Sequence, residues 1–190
     1  MPSPDTEEII VTAALELMND QGIDEPSILE ICKRAGFARA TFYEHFPDRE
    51  ALLSAVLRRL VGDFVAESLV VDPPGDLEKI VQNFMLSLAS PTTPLRGTAT
   101  WRFRHTLDAC ARRSALRARY VEVMDQARRQ LRAQLVLGQR DGRVRADIDA
   151  DALAGLLLTL AYGSMPLLEL EFSLDYAGIA RAVTQMARPV

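Results

Sequence analysis

The spacing of apolar residues and prolines constrains the fold of this chain more than any other feature. Apolar residues recur at i, i+3, i+4 and i+7 through most of the 190 residues, whereas strict alternation of apolar and polar residues is scarce. The first pattern places apolar side chains on one face of an α-helix. Prolines end or begin helices, so they divide the chain into helix-length segments at positions 2, 4, 26, 47, 73, 74, 91, 94, 166 and 189. The sequence therefore predicts an all-α fold of about nine helices.

Three short helices are predicted at the N-terminus. The first spans about residues 5–21 and ends at Gly22. The second begins at Ser27, where Ser27 and Glu30 fit a capping box. It stops at Ala35-Gly36, and a third runs over about 38–46, before Pro47. Two short helices joined at a glycine turn form a helix-turn-helix pattern.

The rest of the chain predicts a helical bundle. A linking helix spans residues 48–68 and begins at Asp48, a good N-cap. Apolar stripes and turn residues then predict helices at about 77–88, 96–111, 116–140, 150–164 and 174–187. The helix at 150–164 is apolar almost all round, so it must be covered on two sides.

Composition excludes several classes of function. The two cysteines (Cys32, Cys110) and two histidines (His45, His105) show no metal-ligand spacing, and no glycine-rich nucleotide motif is present. No constellation of nucleophile, base and orienting group appears, so we expect neither an enzyme nor a cofactor. The N-terminus lacks a signal-peptide pattern and no uninterrupted apolar run reaches membrane-spanning length, which makes the cytoplasm the expected compartment.

Charge is distributed unevenly along the chain. The net charge is −4, and residues 1–60 carry six Lys/Arg against eleven Asp/Glu, so any DNA contact must come from a local face. Residues 96–145 carry thirteen Arg against four Asp/Glu. This arginine-rich segment is either a solvated helix face or a surface for an acidic ligand or partner.

The segment Ser27–Leu53 resembles the DNA-binding segment of the TetR family of bacterial regulators. The matching parts are Ser27 and Glu30, Ala35-Gly36, Thr41-Phe42-Tyr43, His45-Phe46-Pro47, Arg49-Glu50 and Leu52. A recognition helix must pack on one face and offer hydrogen-bond donors to phosphates and base edges on the other. Here Phe42 and Phe46 supply the packing face.

The resemblance implies particular DNA-binding residues. Ser27, Thr41, Tyr43, His45 and Arg49 are expected to hold the phosphate backbone, and Arg39, Ala40 and Glu44 to lie nearer the bases. Two residues depart from the family pattern. Ala38 stands where the family usually has a serine cap, and Phe37 replaces a smaller aliphatic residue. These departures leave the operator sequence open.

The resemblance also implies the domain organisation and the function. Residues 1–50 form the helix-turn-helix domain, and 51–190 the domain for ligand binding and dimerisation. The expected protein is a homodimeric repressor that releases a palindromic double-stranded DNA operator when a small apolar effector binds. The alternatives are a transcriptional activator, or a DNA-binding dimer controlled by a protein partner.

Two further sets of residues follow from the apolar pattern. Apolar and aromatic residues with a few polar tips are candidates for the effector pocket: Phe84, Met85, Trp101, Phe103, His105, Tyr120, Met124 and Tyr162. Each of them is also an ordinary core residue type. The apolar stripes of the last two helices predict the dimer interface at Leu153, Leu157, Leu160, Tyr176, Ile179, Val183 and Met186.

Overall fold

The computed structural model describes residues 4–89 and 103–189. Within these residues the regular structure consists of nine helices, and no strand occurs among them. The first four are α1 (Pro4–Gln21), α2 (Ile28–Ala35), α3 (Arg39–His45) and α4, which runs from Arg49–Leu57 through a π-helical segment (Arg58–Asp63) to Phe64–Ser68. The others are α5 (Leu77–Ala89), α6 (Phe103–Arg112), α7 (Ser114–Arg140), α8 (Ala150–Glu169) and α9 (Tyr176–Ala187). The predicted all-α fold with an N-terminal helix-turn-helix is confirmed.

The described chain divides into two compact units. Residues 4–60 and 103–122 form the first, and residues 61–89 and 123–189 form the second. The predicted boundary at residue 50 differs from this division because the first half of α4 packs on α1, and Leu52, Leu53 and Val56 are fully buried. The helix-turn-helix therefore shares its core with residues on both sides of the predicted boundary.

The core of the first unit is built from the apolar faces of α1 to α4, together with residues of α6 and the start of α7. Its largest fully buried side chains are Ile10, Met18, Ile31, Phe42, Leu52, Leu53, Val56, Leu57 and Leu116. Burial of each such side chain contributes about 1.5–3 kcal/mol. Cys32 and Cys110 are free thiols buried in this unit, and burial raises the pKa of both.

The second unit has its own apolar core, in which α9 packs on α5. Buried residues of six segments meet there: Leu69, Leu77, Ile80, Val81, Leu131, Leu135, Val144, Ala150, Leu153, Ala154, Ala180 and Ala187. The turn before α5 approaches α7 closely, and the Gly75 N–H donates to the Gln134 side-chain oxygen at 2.8 Å. This bond holds the turn against the middle of the long helix.

Helix α8 is longer than predicted. It continues from Ala150 to Glu169 with Pro166 inside it, although the sequence places its end near residue 164. A proline removes one backbone donor and crowds the carbonyl four residues before it, but beyond Pro166 the Leu170 N–H still donates to the Pro166 carbonyl at 3.0 Å. The last turn is therefore retained.

Helix α8 is also the one helix among the described residues that is long and apolar enough to cross a membrane, with a mean hydropathy of 1.4. A core helix can meet the same criteria of length and composition. Only 22% of this stretch is buried within the single chain. Much of its apolar surface is consequently left uncovered by the chain itself.

Candidate nucleic-acid interface

The capping box at the start of α2 forms as predicted. The Glu30 N–H donates to the Ser27 hydroxyl oxygen at 3.2 Å, and the Glu30 carboxylate accepts from the Ser27 N–H at 2.7 Å. The Ser27 hydroxyl also donates to Glu30, at 2.7 Å. Both donors of Ser27 are thus satisfied inside the protein. These hydrogen bonds lower the pKa of Glu30.

The turn between α2 and α3 depends on Gly36. Gly36 has φ +78°, in the left-handed region, which residues with a Cβ adopt at a cost. The Phe37 N–H donates back to the Cys32 carbonyl at 3.0 Å, which closes the end of α2. This turn sets the direction in which α3 leaves.

Helix α3 buries one face and exposes the other. Phe42 is fully buried and Phe46 is nearly so, and their ring centroids lie 5.6 Å apart. The opposite face exposes the side chains of Arg39, Ala40, Tyr43 and Glu44, and those of Thr41 and His45 are half-buried at its margin. Six of the eight predicted DNA-binding residues therefore lie on or beside one accessible helix face.

Ala38, at the start of α3, makes no side-chain capping hydrogen bond. The family's serine would accept one from the backbone at this position, and its absence costs about 0.5–2 kcal/mol of local stability. Position 38 thus supplies neither a cap nor a hydroxyl for a phosphate.

Arg49 is held inside the first unit. Its guanidinium donates to the carbonyl oxygens of Ile23 at 2.9 Å, Asp24 at 3.1 Å and Pro26. Burial and the nearby Arg113 guanidinium lower the pKa of Arg49. Arg49 thus holds the turn that precedes α2 through three backbone carbonyls. Sequence reasoning did not assign this role to it.

The arginine-rich segment is largely paired with carboxylates. Seven of its described arginines make ion pairs, namely Arg112, Arg113, Arg119, Arg128, Arg129, Arg143 and Arg145. Several of the partners lie outside the segment, including Asp24 and Asp151. Because carboxylates from outside residues 96–145 lie beside these arginines, the net positive charge of this surface is smaller than the segment's composition indicates.

The predicted dimer residues do not all face outward. Leu153 is only 6% exposed and belongs to the core of the second unit, and Leu157 and Val183 pack against that core. Tyr176 and Ile179 are half-buried. Leu160 and Met186 are exposed, and so is Leu156, which sequence reasoning missed. Because α8 is apolar all round, its sequence could not indicate which side faces its own core.

The second unit contains an apolar cavity of about 60 Å³. Its lining comes from α4, α5, α7, α8, α9 and the residue after α4: Val65, Ser68, Leu69, Ile80, Val81, Phe84, Met85, Leu131, Leu157, Leu158, Leu160, Ala161, Ile179 and Val183. Of the eight predicted effector-pocket residues, it brings together Phe84 and Met85. The residues from α4 and α9 were missed.

The other predicted pocket residues lie elsewhere. The Tyr162 hydroxyl contacts the Met124 sulfur, and neither residue belongs to the cavity lining. Tyr120 is buried in the first unit, where His105 is half-buried. Trp101 lies outside the described residues, and Phe103 is described only as the first residue of α6. In the described residues no group of three or more His, Cys, Asp or Glu is placed to hold a metal ion.

Comparison with known proteins gives consistent matches. Residues 10–56 match the family model of the bacterial regulatory proteins of the tetR family. The uncharacterized HTH-type transcriptional regulator MT2310 of Mycobacterium tuberculosis is 28% identical over 186 residues, which cover 95% of this chain and 91% of that protein.

Solved structures share the fold over nearly the whole chain. A TetR-family transcriptional regulator from a Rhodococcus species has a TM-score of 0.75 at 16% identity, covering 97% of each chain. The multidrug binding protein EbrR, complexed with imidazole, has a TM-score of 0.70 at 19% identity, covering 99% of this chain and 92% of that one. The family model and the geometry of α2 and α3 identify residues 10–56 as a DNA-binding helix-turn-helix of the TetR family of transcriptional regulators, and the solved structures show that the chain shares its fold with TetR-family proteins.

Proposed function

We propose that this chain is a homodimeric repressor that binds a palindromic operator and releases it when a small apolar molecule enters the second unit. The exposed face of α3 supports the DNA-binding part. Arg39 can donate two hydrogen bonds to guanine, and the Tyr43 and Thr41 hydroxyls and the His45 ring can reach phosphate oxygens. We propose that Arg49 positions α2 and that Ser27 contributes through its capping box. The protein then acts in the cytoplasm, beside the chromosome.

The observation that carries the effector proposal is the apolar cavity. Ser68 is the one polar residue of its described lining. An apolar cavity without polar partners stays free of water and favours apolar ligands. The EbrR structure, which shares this fold, supports the proposal because it is a multidrug binding protein with imidazole bound. The effector class is therefore a small molecule whose buried part is hydrocarbon.

The size of the cavity suggests how binding changes the conformation. Its volume of about 60 Å³ is smaller than the engineered cavity of about 150 Å³ that holds benzene. A ligand with more than a few carbons must displace lining residues such as the half-buried Phe84 and Met85. It therefore binds an expanded conformer better than the one described, which is the requirement for a population shift.

The uncovered surface of α8 supports the homodimer. A contiguous apolar patch on a helix is unfavourable in water and is commonly covered by a second copy of the same surface. A two-fold dimer would present its two α3 helices to half-sites about 34–36 Å apart, one turn of DNA. This symmetry is why the proposed operator is palindromic.

A ligand screen tests the effector proposal. Straight-chain alcohols from pentanol to dodecanol are titrated against the protein by thermal shift, and each binder is then added to a complex with DNA that the chain has selected. Binders should raise the melting temperature and weaken DNA affinity by about 5- to 150-fold.

The test variant is Val183→Phe, which fills the cavity, and its control is Val70→Phe, at an exposed position of the same unit. Loss of the alcohol response in Val183→Phe alone supports the site. Binders that leave DNA affinity unchanged would refute ligand control.

A further inference from the structure

The turn between α1 and α2 is held from two sides. Residues 22–27 connect the helices, beginning at Gly22 with φ +105° and ending at the Ser27 cap. From one side, Arg49 donates to three of the carbonyl oxygens of the turn. The position of this turn determines where α2 starts, and with it the placement of α3.

On the other side, the Asp24 carboxylate is bound by Arg112, the last residue of α6, and by Arg113, which follows it. Arg112 donates to Asp24 Oδ2 at 3.0 Å, and Arg113 donates to Asp24 Oδ1. Arg113 Nε also lies 3.4 Å from the Glu50 carboxylate, in the first turn of α4. Each oxygen of Asp24 is therefore taken by a different arginine, and Arg113 bridges the turn to α4.

These arginines are remote from the helix-turn-helix in sequence. Arg112 and Arg113 lie 88 and 89 residues beyond Asp24 and outside the 10–56 segment that matches the family model. They nevertheless belong to the same compact unit as α1, α2 and α3. The DNA-binding unit is thus completed by a segment that local sequence motifs do not include.

Energetics favour a positioning role over a stabilising one. Exposed ion pairs contribute little to stability, about 0–1 kcal/mol each, and Arg112 is about half exposed. Arg113 is only 26% exposed, and its Nη1 and the Glu50 Oε2 are buried with no hydrogen-bond partner in the described part of the chain. Leaving these two atoms without hydrogen bonds costs stability, so the cluster is better explained by the geometry that it fixes than by a gain in the free energy of unfolding.

We infer that Arg112 and Arg113 are positioning residues for DNA binding, and that they act through Asp24 by holding the α1–α2 turn. The inference rests on the DNA-binding function proposed above. A simpler effect would be that the two arginines add positive charge near the phosphates. The two explanations predict opposite signs for removal of the Asp24 charge, since a protein with one negative charge fewer binds DNA more tightly on electrostatic grounds.

The test compares Asp24→Asn with Glu25→Gln in the full chain. Glu25 is exposed, adjacent in sequence and makes no ion pair among the described residues, so both variants lose one carboxylate from the same turn. Affinity is measured by fluorescence anisotropy on a duplex that the unmutated chain has selected from a random pool. We expect Asp24→Asn to bind roughly fivefold or more weakly with an unchanged salt slope. Glu25→Gln should bind as the unmutated chain or slightly more tightly, and Asp24→Glu should recover much of the affinity.

A second measurement separates positioning from a general loss of folding. In the double variant Arg112→Gln/Arg113→Gln, amide hydrogen exchange should accelerate in residues 22–28 and stay unchanged in α9. If Asp24→Asn binds DNA as tightly as Glu25→Gln, or if exchange in residues 22–28 does not change, the inference is wrong. If the unmutated chain selects no DNA, the proposed function fails first, and the inference fails with it.

Discussion

The ring of Phe42 meets the ring of Tyr43 edge to face, with centroids 5.3 Å apart and planes at 87°. Phe42 is fully buried, whereas Tyr43 is 46% exposed. One residue of this pair therefore anchors α3 to the core, and its neighbour presents a hydroxyl to solvent. A substitution of Phe42 should therefore lower the stability of the protein, whereas a substitution of Tyr43 should mainly affect DNA binding.

Phe42→Ala should destabilise the protein by about 3–5 kcal/mol, because it leaves a cavity in the core of the first unit. Tyr43→Ala is the matched control and should cost no more than about 0.5–1.5 kcal/mol, the value of an aromatic pair. Urea unfolding followed by circular dichroism measures both. Equal losses for the two variants would contradict the division of α3 into a core face and an exposed face.

The capping box at α2 should give a pH-dependent contribution to stability. Its hydrogen bonds lower the pKa of Glu30 from the usual value of 4.5. The contribution is therefore present above the unfolded pKa and is lost as the pH falls through the lower folded value. Glu30→Gln should be less stable than the unmutated chain at pH 7, and the difference should shrink as the pH falls below the usual carboxyl pKa of 4.5. A difference that stays constant across this range in thermal unfolding would rule out the carboxylate as its source.

Gly138→Ala should destabilise the second unit. A Cβ at Gly138 would overlap the Gly75 carbonyl oxygen and would lie 2.8 Å from a Val144 methyl group. Overpacking of this kind costs about 1–3 kcal/mol. Gly155→Ala is the control, because a Cβ there meets no atom within 4 Å, and alanine in a helix is favoured over glycine by about 0.5–1 kcal/mol. A Gly138→Ala protein as stable as the control would show that this close approach is absent.

Leu156→Glu should weaken the dimer, since Leu156 is 47% exposed on α8 and a charge there would be buried against the second copy. Leu170→Glu, at a more exposed position just after the helix, should remain dimeric. Sedimentation velocity distinguishes the two outcomes. Leu153→Glu is unsuitable for this test because Leu153 belongs to the core and its variant would unfold. An unmutated chain that sediments as a monomer would refute the dimer.

The helix-turn-helix could be predicted because its signals are local. The Ser27–Glu30 capping box, the left-handed Gly36 and Pro47 each act over a few residues, so the sequence alone indicates where α2 and α3 begin and end. The orientation of α8 could not be predicted. Leu153 and Leu156 are identical side chains, and only packing decides that one is buried and the other exposed.

The other features that sequence reasoning missed depend on contacts between distant segments. The Asp24 cluster joins residues almost ninety positions apart, and no short motif encodes such a pairing. The cavity is lined by residues of five helices, and its lining depends on how those helices pack. The residues of the Asp24 cluster and of the cavity lining are common residue types for their positions in sequence. Their roles become visible only when the distant segments are packed together.

The most direct test of the account is selection of bound DNA from a random pool by the unmutated chain, repeated with Arg39→Ala and Tyr43→Ala. We expect a palindromic consensus whose half-sites are centred about 10 base pairs, or a multiple, apart. Arg39→Ala should lose about 1–3 kcal/mol of discrimination at one position in each half-site, whereas Tyr43→Ala should weaken binding to all sequences alike. No enrichment, an enriched sequence without two-fold symmetry, or unchanged selection by both variants would contradict the assignment of DNA recognition to the exposed face of α3.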